Sequence, residues 1–209
     1  MGLLSPHMII RLSISLMLCL VVAAQAMAYP KPSPIPTRPE LTFRPGPLRI
    51  VQAKDGNRYW YFTYEVVNRT GSDAMWAPSM VLFTDRGEIA EAGQGVPRTV
   101  LREIQEYIGD PLLESRTEII GTIRQGEGHA RRGLAVWPVG NSKVNGLRLF
   151  VRGLSPELAT VQHPVTGAPI TLRKTLQLVY LAPGDVTARR DAPIPEHPEA
   201  DQEDRWIFR

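Results

Sequence analysis

Cysteine is almost missing from this chain: 209 residues hold one, Cys19. Histidine occurs four times, and aromatic residues make up 7%. Neither sign of charge dominates, since 24 Lys and Arg against 21 Asp and Glu leave a formal +3. So even a balance does not point to nucleic acid, which asks for a concentrated basic footprint. No apolar run reaches the roughly 20 residues a spanning helix needs. No internal repeat is visible. Catalytic signatures are missing too. There is no H-x-x-x-H ligand pair, no G-x-S-x-G or S-x-x-K serine motif, and no G-K-[ST] phosphate loop. Gly126-Glu127-Gly128 reads as a turn and not as a dinucleotide fingerprint. No cofactor is implied, and no catalytic or metal-binding residue is assigned.

What is present begins at the N-terminus. Arg11 is the one charge before Lys31, and an apolar run from Leu12 to Ala24 is interrupted only by Ser13 and Ser15. It ends in Ala24-Gln25-Ala26-Met27-Ala28. A positive start, a short apolar stretch and a small-x-small site spell a secretory signal peptide over residues 1–28. The cut falls after Ala28, or after Ala26. A lipoprotein signal wants a small residue before its cysteine, and Leu18 stands there. Cleavage removes Cys19, which then excludes disulfides, zinc–thiolate sites and cysteine nucleophiles. The expected location is periplasmic or secreted, with no stable transmembrane segment after cleavage.

Residues 29–47 hold seven of the 19 prolines. That density favours extended polyproline II, so the stretch reads as a linker. The far end, 183–209, reads as an acidic, flexible tail. From Asp185 to Arg209 seven acidic residues stand against four basic ones. Trp206-Ile207-Phe208 breaks the pattern and is expected to dock, on the chain's own domain or on a partner.

Between these ends, residues 48–182 read as one domain. Trp60, Phe62, Tyr64 and Val66 alternate with Tyr59, Tyr61, Thr63 and Glu65, the period of a half-buried strand. Leu147, Leu149 and Val151 repeat the pattern against Arg148, Phe150 and Arg152, and Leu176, Leu178 and Tyr180 repeat it again. Leu134 and Val136 are expected in the same core. Short strands, frequent turns and no βαβ spacing predict an all-β, antiparallel sandwich. One amphipathic helix is inserted at about 97–108, from the stripe Val100, Leu101, Ile104, Tyr107 and Ile108. Gly109 follows as its cap, and Arg102 and Glu106 stand as an i,i+4 pair.

Three strings carry a resemblance: Tyr61-Phe62-Thr63-Tyr64-Glu65-Val66-Val67-Asn68-Arg69-Thr70-Gly71, then Leu82-Phe83-Thr84-Asp85-Arg86-Gly87, then Gly126-Glu127 with Gly133-Leu134-Ala135-Val136-Trp137-Pro138. Over residues 59–149 the chain resembles the telokin-like, immunoglobulin-like exported bacterial domains of unknown function. The resemblance implies an immunoglobulin-like fold outside the cytoplasm. The helix at 97–108 departs from the family pattern. No catalytic residue carries over.

Two surface features remain as possible binding sites. Arg148, Arg152 and Arg173, joined by Arg131 and Arg132, suit carboxylate, phosphate or anionic glycan. Tyr59 and Tyr61 form an aromatic strip if exposed, or a second core layer if the helix covers them. The functional expectation is a non-enzymatic interaction or structural module of the envelope or extracellular space, with an envelope protein or anionic surface as partner. The alternative is an extracytoplasmic hydrolase or glycan-processing enzyme whose site assembles only in three dimensions.

Overall fold

Strand β2 (Arg58–Val67) organises the computed structural model, which describes residues 29–197 and 205–209. The signal peptide expected at 1–28 lies outside the described residues. β1 (Thr42–Gln52) and β8 (Arg131–Pro138) flank β2 antiparallel, and the short β6 (Leu113–Glu114) joins β8 in parallel. A second sheet has the order β10 (Leu158–Gln162), β11 (Pro169–Leu181), β9 (Gly146–Arg152), β4 (Ser79–Thr84), β5 (Ile89–Glu91). β12 (Trp206–Phe208) pairs with β11 in that sheet. β3 (Ala74–Trp76) and β7 (Gly121–Ile123) form a separate pair.

The architecture is all-β and sandwich-like, with one α-helix among the described residues. Inward residues of both large sheets share one core: Trp60, Phe62 and Tyr64 from β2, Leu147, Leu149 and Val151 from β9, Leu176, Leu178 and Tyr180 from β11. Period two sends these residues to one face, and burying each large apolar side chain stabilises by roughly 1.5–3 kcal/mol.

The other face of the four-stranded sheet is also covered. Helix α1 (Arg98–Ile108) lays Val100 and Ile104 on Tyr59, Tyr61, Leu134 and Val136, a second core. Leu134 and Val136 are buried as expected, but in this second core. Ala135 and Trp137 supply β8's share of the main one. Pro97 stands just before the helix, and Gly109 ends it at φ 69°, a left-handed angle glycine adopts without strain. No Arg102–Glu106 ion pair forms among the described residues. The Glu103 carboxylate instead accepts the Lys54 backbone N–H at 3.1 Å.

The two ends depart from expectation. β1 opens at Thr42 rather than Leu48, and Leu41 is already buried. Pro45 and Pro47 lie within this strand, where the register shifts between Pro45 and Leu48. Proline is tolerated there because β1 is an edge strand with a bulge, so the missing N–H breaks no ladder. The C-terminal stretch is not a free tail over its described length. Val186 and Ile194 are buried. Ile194 N–H donates to Leu48 O at 2.9 Å, and Leu181 and His197 N–H groups bond Pro195 O and Val179 O. The stretch thus laces β1 to the edge of β11, and Trp206–Phe208 docks on the chain's own sheet. No helix among the described residues is long and apolar enough to cross a membrane.

Candidate functional site

Tyr59 and Tyr61 are not a surface strip. Both lie under α1, 3% and 4% exposed. Tyr59 OH donates to Asp55 Oδ2 at 2.8 Å. Burial, then that carboxylate, raises its hydroxyl above the ordinary value, and the same bond lowers Asp55. Tyr61 OH donates to Asp191 Oδ1, and Tyr107 OH from α1 donates to Asp191 Oδ2 at 2.8 Å. Arg49 reaches Asp191 Oδ2 at 3.6 Å. Burial and then Asp191 push the Tyr61 hydroxyl well above its ordinary value. A carboxylate from the C-terminal stretch therefore clasps helix and sheet together. Asp191 has φ 69°, an angle Asp tolerates better than most residues.

The three predicted arginines do share a face. Arg148 and Arg152 alternate on β9, and Arg173 lies on β11, on the side of the six-stranded sheet turned away from the core. Arg148 and Arg173 are exposed and Arg152 is half-buried. Arg131 and Arg132 do not join them. They lie on β8, where Arg131 meets Glu114, and Arg132 meets Asp110 at 3.1 Å and Glu65 at 3.5 Å. The fourth member is Arg209. Its guanidinium carbon lies 4.2 Å from the Phe150 ring centre and 4.4 Å from that of Phe83. Those rings meet edge to face at 5.0 Å. Each such cation–ring contact contributes about 0.5–2 kcal/mol.

Among the described residues carboxylates are scarce on this face. In the six strands Glu91 is the one acidic residue, and Arg116 engages it at 2.7 Å. Among the described residues no acid pairs with Arg148, Arg152 or Arg173, and Arg152 Nε is buried without a hydrogen-bond partner. Beside Arg148 a hollow of about 290 Å³ is lined by Phe83, Asp85, Val179 and Leu181. Asp85 there accepts the Asn145 N–H at 3.2 Å. Guanidinium forks over a half-apolar floor can hold carboxylate, phosphate or sulfate.

A second hollow, about 540 Å³, lies between α1 and Ser115–Glu118, with Arg98 and Arg102 on its rim. The histidines stay apart. His163 Nδ1 accepts the Val165 and Thr166 N–H groups at 3.2 Å, and His129 lies in a short turn. Among the described residues no three His, Cys, Asp or Glu are placed to hold a metal ion.

One polar cluster escaped the sequence reading. Lys174, 1% exposed, sends Nζ to Glu40 Oε1 at 2.8 Å and Glu157 Oε2 at 3.3 Å. Glu157 Oε1 accepts Thr37 Oγ1 at 2.8 Å and the N–H groups of Thr37 and Arg38. The cluster pins the proline-rich stretch to β11. The signal was available: Lys174 interrupts the inward series Leu176, Leu178, Tyr180.

Compared with protein-family models, with curated proteins and with solved structures, the chain gives no match.

Proposed function

We propose that this chain is an exported, non-enzymatic binding module whose outer arginine face takes an anionic partner in the cell envelope or extracellular space. One observation carries the reading: Arg148, Arg152 and Arg173 stand on one sheet face without acid partners among the described residues. Exposed single ion pairs contribute only about 0–1 kcal/mol each. Binding therefore comes from several cations acting together over the apolar floor, and it weakens as salt rises. Export rests on the Arg11, Leu12–Ala24 and Ala26-Met27-Ala28 pattern. The immunoglobulin-like reading belongs to the same proposal and rests on the strand–turn strings at residues 61–71 and 133–138.

A pull-down of the chain from envelope extract tests it. A partner recovered by wild type and lost by Arg148→Glu/Arg173→Glu supports the proposal. Equal recovery by both, or turnover in a broad hydrolase screen, overturns it.

A further inference from the structure

β10 and the first half of β11 leave the sandwich as a two-stranded arm. None of its residues from Leu158 to Leu172 is buried, and Val165 at the turn is 87% exposed. These fifteen residues contain no Asp, Glu, Lys or Arg, in a chain that is 22% charged. One side of the ribbon carries Leu158, Thr160 and Gln162, all exposed. The other carries Ala159 and Val161 opposite Leu172 and Ile170, all half-buried.

The ladder fixes which backbone groups are free. Lys174 N–H bonds Glu157 O at 3.0 Å, and His163 N–H bonds Ala168 O at 2.8 Å. Antiparallel bonding alternates. Between those two pairs, Ala159 and Val161 therefore turn their N–H and C=O to β11, and Leu158, Thr160 and Gln162 turn theirs to the open edge. β10 ends its sheet.

Three other sheet edges are defended. β1 carries Pro45, Pro47 and a bulge, and Ile194 bonds it. β5 is three residues long and ends on Glu91, and β6 is two residues long. β10 has no charge, proline or bulge, the devices that keep an edge from pairing.

We infer that β10 is a self-association edge, pairing antiparallel with β10 of a second copy about a two-fold axis at Thr160. The register sets Thr160 against Thr160, Leu158 against Gln162 and Ala159 against Val161. A two-fold pairing brings every residue near its own mate, so any charge near the axis meets a like charge. The arm has none to repel. Ala159, Val161, Ile170 and Leu172 of both copies then form one apolar strip, and the free groups of Leu158, Thr160 and Gln162 are paired. A five-residue strand pair is small beside the roughly 1,200–2,000 Å² of a stable interface. The dimer is therefore weak and depends on concentration.

The test uses the full chain carrying Cys19→Ser, so that an introduced cysteine is the only thiol. In a hydrogen-bonded pair the two Thr160 Cα atoms stand about 5.5 Å apart, within the disulfide range of about 4.4–6.8 Å. Thr160→Cys should cross-link under mild oxidation at least tenfold faster than Val165→Cys at the arm's tip. Analytical ultracentrifugation of wild type should shift from monomer to dimer between micromolar and millimolar concentration, and Thr160→Lys should stay monomeric. Equal cross-linking rates, a wild type monomeric throughout, or a Thr160→Lys variant that still dimerises would each overturn the inference.

Discussion

Replacing Lys174 by Met tests whether the Glu40–Lys174–Glu157 cluster holds the proline-rich stretch to the sandwich. Met keeps the length of the side chain and removes the ammonium. A buried carboxylate, Glu157, and a half-buried one, Glu40, then face each other without the cation that stood 3.3 Å and 2.8 Å from them. Breaking a buried pair by removing one partner costs about 3–5 kcal/mol. For a chain of this size that lowers Tm by roughly 6–20 °C. Urea unfolding followed by tryptophan fluorescence reads the loss, and endoproteinase Glu-C should cut faster after Glu40 as the stretch loosens. The companion variant Glu40→Gln/Lys174→Met/Glu157→Gln removes all three charges and should recover most of the stability. Acid gives an independent reading. Burial alone would raise the Glu157 carboxyl, but bonds from Thr37 and the Lys174 ammonium outweigh it and hold it below its ordinary 4.5. A depressed folded value means this stability is present above pH 4.5 and is lost as pH falls through the folded value. Wild type should therefore lose stability on acidification below about pH 4.5 more steeply than Glu157→Gln. A Lys174→Met loss under about 1 kcal/mol, or a triple variant no better than the single, would refute the reasoning.

Three further outcomes follow from other contacts. Gly133 faces Tyr64 across the β2–β8 pair, and a Cβ there would lie 2.1 Å from the Tyr64 ring; Gly133→Ala should cost at least about 1–3 kcal/mol in denaturant unfolding. Asp191→Ala removes the acceptor shared by Tyr61 and Tyr107; it should cost about 1–3 kcal/mol and speed cleavage at Arg189 and Arg190, whereas Asp191→Asn should lose less. N-terminal sequencing from a secreting host should find a chain starting at Tyr29 or Met27, and an intact Met1 would contradict export.

Strands with one buried face were legible because period two survives in their residues. β9 shows it plainly, with Leu147, Leu149 and Val151 against Arg148, Phe150 and Arg152. β2 shows it only in part: Tyr59 to Phe62 are all buried, since α1 covers one face and the second sheet the other. Alternation cannot say whether the second face is covered, so it leaves Tyr59 and Tyr61 between strip and core, and only the packing of α1 makes them core. The ends are illegible for a different reason. Proline and charge density report local chain preference, whereas Thr42–Pro47 and Asp185–His197 are held by partners far along the sequence. Tyr64–Val67 of β2 pair with Thr42–Pro45, Leu48 and Val179 carbonyls accept from Ile194 and His197, and no local pattern announces them. The arginine face was half legible. Alternation put Arg148 and Arg152 on one side, but only the β9–β11 register brings Arg173 to it. Arg131 and Arg132 left the group because β8 belongs to the other sheet.

The most direct test of the central claim is polyanion binding across a salt series. Wild type should be retained on immobilised heparin at low salt and released progressively as NaCl rises. Arg148→Glu/Arg173→Glu, both exposed and outside the core, should lose at least tenfold in affinity at unchanged Tm. Arg98→Glu/Arg102→Glu, which alters the same net charge on α1, should bind as wild type does. Equal loss in the two variants would mean that overall charge and not this face does the binding, and would contradict the account.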